Sequence, residues 1–240
     1  MSHFKQAAYA YAENINVVAL YAILLVVGGL SVFVPGTSTV SGGAFLATGE
    51  LSKLDPVQAA LLLVYSLAVL FVYSFLTAVL VMAVSARESN TEIASMVVHE
   101  LIGAHTSRIF IFNALVVGAA FLAAIAVPQF SVPLVFLAML PLMFVPAAIV
   151  VDELSLQRAV EKSADYLVRF PENVIYYLIV GFALTALTGF VNFAFDQAVF
   201  IGKYVSLVFA AFFAAPFLTI LQVELYLHKF GLMRKRPGAA

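Results

Sequence analysis

The chain has 240 residues, 64% of them apolar and 10% charged, against roughly 45–50% and about 25% in an ordinary soluble domain. Its 12 basic and 13 acidic side chains cannot cover a water-soluble shell around so much apolar surface, and a mean hydropathy of +1.07 agrees. The sequence reads as an integral membrane protein. Its net charge of −1 suggests no nucleic-acid partner, and the absence of Cys excludes disulfides, thiol catalysis and thiolate-held zinc or iron–sulfur clusters.

Crossing a hydrocarbon core of about 30 Å takes about 20 helical residues. Six apolar runs meet that length: 15–34, 57–84, 109–127, 134–151, 174–195 and 204–227. The expected fold is an all-α integral membrane protein, one polytopic domain over residues 1–240 with six transmembrane helices arranged as three hairpins. Assigning loops alternately puts ten basic residues on one side (Lys5, Arg87, Arg108, Arg158, Lys162, Arg169, Lys229, Arg234, Lys235 and Arg236) and two, Lys53 and Lys203, on the other. The positive-inside rule then places both termini in the cytoplasm of a cell membrane. The first run is longer than a signal-peptide core and lacks a small-x-small cleavage pattern, so it reads as a span.

Ahead of that run, Phe4, Ala7, Ala8 and Tyr11 form an i, i+3, i+4, i+7 stripe. After it, the loop from Pro35 to Asp55 holds Gly42, Gly43 and Gly49 but no Lys placed to neutralise phosphate, and reads as a connector. The second run would be about 42 Å long as a helix, with Ser66, Tyr73 and Thr77 on one face for helix packing. Residues 91–105 carry a second amphipathic stripe, Ile93, Met96, Val97, Leu101 and Ala104. A third, over 154–169, has Leu156, Ala159, Val160, Leu167 and Phe170 on one face and charges on the other. Asp152 is expected to cap that helix and Pro171 to stop it. Each hairpin is thus preceded by a cytoplasmic amphipathic interfacial helix. A short external turn is expected around Asp196.

The stretch Pro146-Ala-Ala-Ile-Val-Val-Asp152-Glu153-Leu, followed by Ala159, Ser163 and Phe170-Pro171-Glu172-Asn173, resembles a pattern in uncharacterised archaeal and bacterial multi-pass membrane families. These are similar to the membrane domain fused to some glycerophosphodiester phosphodiesterases. The resemblance implies a membrane domain with Pro146, Asp152, Ala159 and Ser163 as pattern positions. It does not bring the soluble enzyme's activity with it.

Candidate chemistry is sparse. His99 and His105 are six residues apart, about 240° around a helix, so they cannot share a metal as the histidines of HExxH do. Glu92 and His99 share a face as a weak polar pair, and these histidines read as interfacial and solvated. Glu224 is the single carboxylate within a span window, which makes it a functional candidate by default. It is expected to sit at the cytoplasmic boundary, within reach of water and Lys229. Pro141, Pro146 and Pro216 each remove a backbone hydrogen bond and are candidate hinges. Gly181, Thr185 and Gly189 recur at four-residue spacing, the pattern of close helix contact. Lys229, Arg234, Lys235 and Arg236 follow the last span closely enough to contact anionic lipid.

With no paired carboxylates and no Lys or Arg inside the spans, an enzyme is not expected, and no cofactor is implied. The expected function is a non-enzymatic structural or interaction subunit of a membrane complex. Its expected partners are membrane lipids and other membrane-protein subunits or a second copy of itself. The alternative is a transporter, or a transporter's substrate-binding subunit, for a small, mainly apolar solute.

Overall fold

The computed structural model describes residues 3–30, 56–89, 95–127, 129–199 and 201–229. Among these the chain is helical, with no strand. Ten α-helices follow in order: α1 His3–Glu13, α2 Ile15–Leu30, α3 Pro56–Ser89, α4 Ser95–Ala126, α5 Ser131–Met139, α6 Val145–Val151, α7 Leu156–Arg169, α8 Pro171–Val199, α9 Gly202–Phe209 and α10 Ala215–Lys229. A 3₁₀ turn, Leu140–Leu142, joins α5 towards α6, and a π turn, Ala210–Ala214, joins α9 to α10.

Among the described residues four stretches are long and apolar enough to cross a membrane: Leu67–Ala86, Pro133–Val151, Pro171–Gln197 and Gly202–His228. The pair α1 and α2, bent by 83° at its junction, makes a fifth if counted as one span. The 109–127 window falls within α4 except for Val127, which follows its last turn.

Proline chemistry explains the breaks. Pro141 lies in the 3₁₀ turn and Pro146 in the first turn of α6, where its missing N–H has no helical partner to lose. Pro216 stands directly after the π turn. Pro171 begins α8 while Phe170 closes α7 by donating its amide to the Tyr166 carbonyl at 2.9 Å.

Three expectations change. Residues 95–105 are not a separate interfacial helix but the first turns of α4. No proline interrupts them, and Gly103 alone costs a helix only about 1 kcal/mol. Asp196 lies inside α8, and the turn falls at Ile201 and Gly202. A Cβ on Gly202 would sit 2.0 Å from the Asn192 carbonyl oxygen, so only glycine lets α9 leave α8 this closely. Asp152 does not cap α7: it is the C-cap of α6, while Ser155 occupies the N-cap of α7 without a side-chain bond.

Burial is polarised. The core gathers at the end of the bundle that carries Arg108, Arg158, Lys162 and Arg169. It takes Leu76 to Val84 of α3, Ile109 of α4, Phe144 to Val150, Tyr166 of α7 and Ile220 to Leu227 of α10. At the opposite end Leu115, Leu122, Leu137, Phe182, Phe190 and Phe193 are exposed. Only 6% of Pro171–Gln197 is buried, against 44% of Leu67–Ala86.

Candidate functional site at the basic end of the bundle

The polar side chains that come together lie where α6, α7, α8 and α10 meet. Asp152 Oδ2 accepts from Lys162 Nζ at 2.7 Å and from the Tyr226 hydroxyl. Tyr166 stacks on Tyr226 with ring centroids 5.9 Å apart and donates its hydroxyl to the Leu225 carbonyl at 2.7 Å. Asn173 Nδ2 donates to that hydroxyl, also at 2.7 Å. Burial pushes the ionisation of Tyr166 up to about 12; the bond from Asn173 opposes this and nearby Glu172 adds to it.

The residues quoted for the resemblance fall within this knot. The helix break between α5 and α6 leaves the Phe144 amide without a helical acceptor, and Ser163 Oγ accepts it at 3.0 Å. Ala159 is fully buried beside it, where a small side chain lets α7 approach α6. Pro146, Asp152, Ala159 and Ser163 therefore share one job, that of closing a proline-broken segment against α7.

Arg108 of α4 reaches the linker between α6 and α7, donating to the Glu153 carbonyl at 3.3 Å and the Leu154 carbonyl at 3.2 Å. Glu153 holds a positive φ of 53° in this linker. His105, one turn before Arg108, is only 3% exposed, and its Nδ1 has no hydrogen-bond partner among the described residues. It is a core histidine, which overturns the solvated reading. Burial pulls its pKa down, Arg108 adds to that, and Glu153 partly offsets both.

Glu224 also differs from expectation. Its side chain is fully buried rather than set at a watery boundary, because α1 folds across α10 with His3 edge-on to His228 at 4.7 Å and Phe4 against Phe217 at 5.1 Å. A second polar group lies between α2, α3 and α10, where the buried Tyr21 hydroxyl faces Tyr73, Thr77 and Thr219. Thr77 and Thr219 donate to the Tyr73 and Ala215 carbonyls at 2.9 and 3.0 Å, which leaves their oxygens as acceptors.

His99 lies on α4 and Lys229 ends α10, but their side chains, and all of Glu92, Arg234, Lys235 and Arg236, lie outside the described residues. No group of three or more His, Cys, Asp or Glu side chains comes together among the described residues. Tyr166, Tyr226 and Asn173 were not candidates from sequence. One signal was present: Ala159, Ser163, Tyr166 and Phe170 continue at helical spacing along the stripe of α7.

No protein-family model, no curated protein and no solved structure matches this chain.

Proposed function

We propose that the chain is a six-span membrane protein of the cell membrane with spans at 15–34, 57–84, 109–127, 134–151, 174–195 and 204–227. Both termini and the basic end face the cytoplasm. It acts as a non-enzymatic structural or interaction subunit, docking a transmembrane helix of another membrane protein on α8. The observation that carries this reading is the sparse burial of α8, only 6% of Pro171–Gln197, along a ridge of small residues in which Gly181 and Gly189 are half-buried. A methyl group added at Gly189 would meet nothing within 4 Å, and one added at Gly181 would meet Leu218 Cδ2 at 3.9 Å. Thr185 between them is exposed. A helix of this kind gains van der Waals contact in lipid only from a closely approaching partner helix.

A transporter for a small, mainly apolar solute is the second reading, favoured by the hydroxyl cluster around Tyr21 beside a broken helix. Against it, both breaks are sealed by the chain's own side chains, Ser163 at Phe144 and Tyr11 at Phe212. A relation to the multi-pass families resembled by residues 146–173 is part of the same proposal. It is supported by the common task of the four pattern residues. Contact of Lys229, Arg234, Lys235 and Arg236 with anionic lipid belongs to it too.

The absence of natural Cys allows a direct test. Thr185→Cys, cross-linked in native membranes and purified in mild detergent, is expected to trap a defined adduct with another membrane protein or a second copy. Leu187→Cys, exposed on the opposite face of α8, should trap far less. Equal trapping at both positions, or none at Thr185, sinks the reading.

A further inference from the structure

The sixth apolar segment is interrupted in a specific way. Within the π turn the Ala215 amide donates to the Ala210 carbonyl, one residue further back than in an α-helix. Next comes Pro216, whose ring nitrogen has no hydrogen to return to the carbonyl four residues earlier, that of Phe212. The hydroxyl of Tyr11 donates to that carbonyl at 2.5 Å, from 201 positions away in sequence.

The rest of α1 is built to deliver this hydroxyl. Ala7 and Ala10 are its buried positions and are small enough for α1 to lie close on α10. The Tyr11 and Phe4 rings both pack on Phe217, at 6.4 and 5.1 Å. At its start His3 meets His228 and Tyr176, with centroids 4.7 and 6.1 Å apart. At its end, Asn14 closes the helix by donating Nδ2 to the Ala10 carbonyl at 2.8 Å, and the chain turns by 83° into α2.

We infer that α1 is a strap across the sixth segment, and that Tyr11 is the positioning residue that fixes the direction of the α8–α9 hairpin relative to α10. The π turn and Pro216 form the base of that hairpin, and they hold fewer internal hydrogen bonds than a regular helix. The Tyr11 bond replaces the missing one. When the strap lifts, the Phe212 carbonyl is left unpaired, and α9 can swing about residues 210–216 and carry α8 with it. The strap and its hinge stand on these contacts alone, whatever α8 docks against.

The test is a double-substitution cycle in the full chain, reconstituted in nanodiscs, of Tyr11→Phe and Pro216→Ala, with Tyr9→Phe as control because Tyr9 is exposed on the same helix. Tyr11→Phe is expected to speed amide exchange over residues 210–219 by roughly tenfold, the value of one lost hydrogen bond. Tyr9→Phe is expected to leave it unchanged. In the Pro216→Ala background the amide of residue 216 reaches Phe212, and the Tyr11→Phe effect should shrink to within about twofold. Spin labels at Arg158→Cys on α7 and Lys203→Cys on α9 should give a broader distance distribution in Tyr11→Phe, narrowing again in the double variant. Equal effects of Tyr11→Phe in both backgrounds, or an unchanged exchange and distance distribution, overturn the inference.

Discussion

The Tyr226 hydroxyl donates to Asp152 and ties the last helix to the end of α6 across 74 positions of sequence. The same carboxylate oxygen takes Lys162 Nζ, so a single side chain gathers donors from α7 and α10. Lys162 also lies over the Tyr226 ring at 5.8 Å, which closes a triangle of Asp, Lys and Tyr. The acid that sequence pattern assigns to a helix start therefore serves as a three-helix joint.

Removing the joint's acceptor should cost more than removing one of its donors. Asp152→Ala leaves a half-buried ammonium and a buried hydroxyl without that acceptor, and is expected to lower stability by about 2–4 kcal/mol. Lys162→Met removes one donor, keeps most of the aliphatic stem, and is expected to cost about 1 kcal/mol or less. Unfolding of the purified chain in mixed micelles checks both values. Equal costs would mean that Asp152 acts through Lys162 alone.

His105 predicts a pH dependence with a definite sign. Burial lowers its native pKa below the usual value of about 6.5, so the unfolded chain binds the proton more readily than the folded one. Its contribution to stability is fully present above about pH 6.5 and declines as the pH falls from there towards the lowered native pKa. Thermal unfolding measured from pH 7.5 to 5.5 should show this slope. His105→Leu should flatten it without loss of stability at pH 7.5, since the replaced Nδ1 has no hydrogen-bond partner among the described residues. A slope that survives His105→Leu assigns the effect to another group.

Gly202→Ala tests the turn between α8 and α9. The added carbon would lie 2.0 Å from the Asn192 carbonyl oxygen and 2.7 Å from the Asp196 amide nitrogen, both backbone atoms that cannot rotate away. The two helices must part, at a cost of about 1–3 kcal/mol. Gly189→Ala, with nothing nearby among the described residues, should be neutral or slightly stabilising in detergent. Comparable losses at both positions would place a neighbour against Gly189 and contradict the exposure of α8.

The helices were legible in the sequence because long apolar runs and proline positions are local properties. The 154–169 expectation misses the observed α7 by two residues at its start. The site was less legible for a physical reason: its contacts are non-local. Nothing near Asp152 in sequence announces Tyr226, and nothing near Tyr11 announces Phe212, although a proline does announce an unserved carbonyl four residues before it. The 91–105 segment looked independent because its stripe is amphipathic, yet no breaker separates it from the apolar run that follows. Ser163 and Tyr166 lie on the buried face of α7 but are polar by composition, so a stripe read from apolar residues alone passes over them. The burial of Glu224 and His105 depends on α1 and the α6–α7 linker folding over them, which no periodicity encodes.

In the linker between α6 and α7, backbone geometry and electrostatics meet at one residue. Glu153 holds a φ of 53°, where the approach of Cβ to the following carbonyl oxygen costs about 1–2 kcal/mol relative to the ordinary helical region. Asparagine tolerates that conformation far better and, unlike glycine, adds little freedom to the unfolded chain. Glu153→Asn is therefore expected to raise stability at pH 7.5 by about 1 kcal/mol, with the Arg108 bonds intact because they go to backbone carbonyls. The same substitution removes the negative charge that partly offsets burial and Arg108 at His105. The native pKa of His105 then falls further, and the loss of stability on acidification, which again begins near pH 6.5, continues to lower pH than in the parent chain. The variant should accordingly be more stable than the parent at pH 7.5 and go on losing stability at acidic pH where the parent's profile has levelled off. Unfolding curves of parent and variant followed from pH 7.5 down past that levelling decide the matter. A variant that is less stable at pH 7.5 defeats the backbone argument, and a parallel pair of pH profiles defeats the coupling of Glu153 to His105.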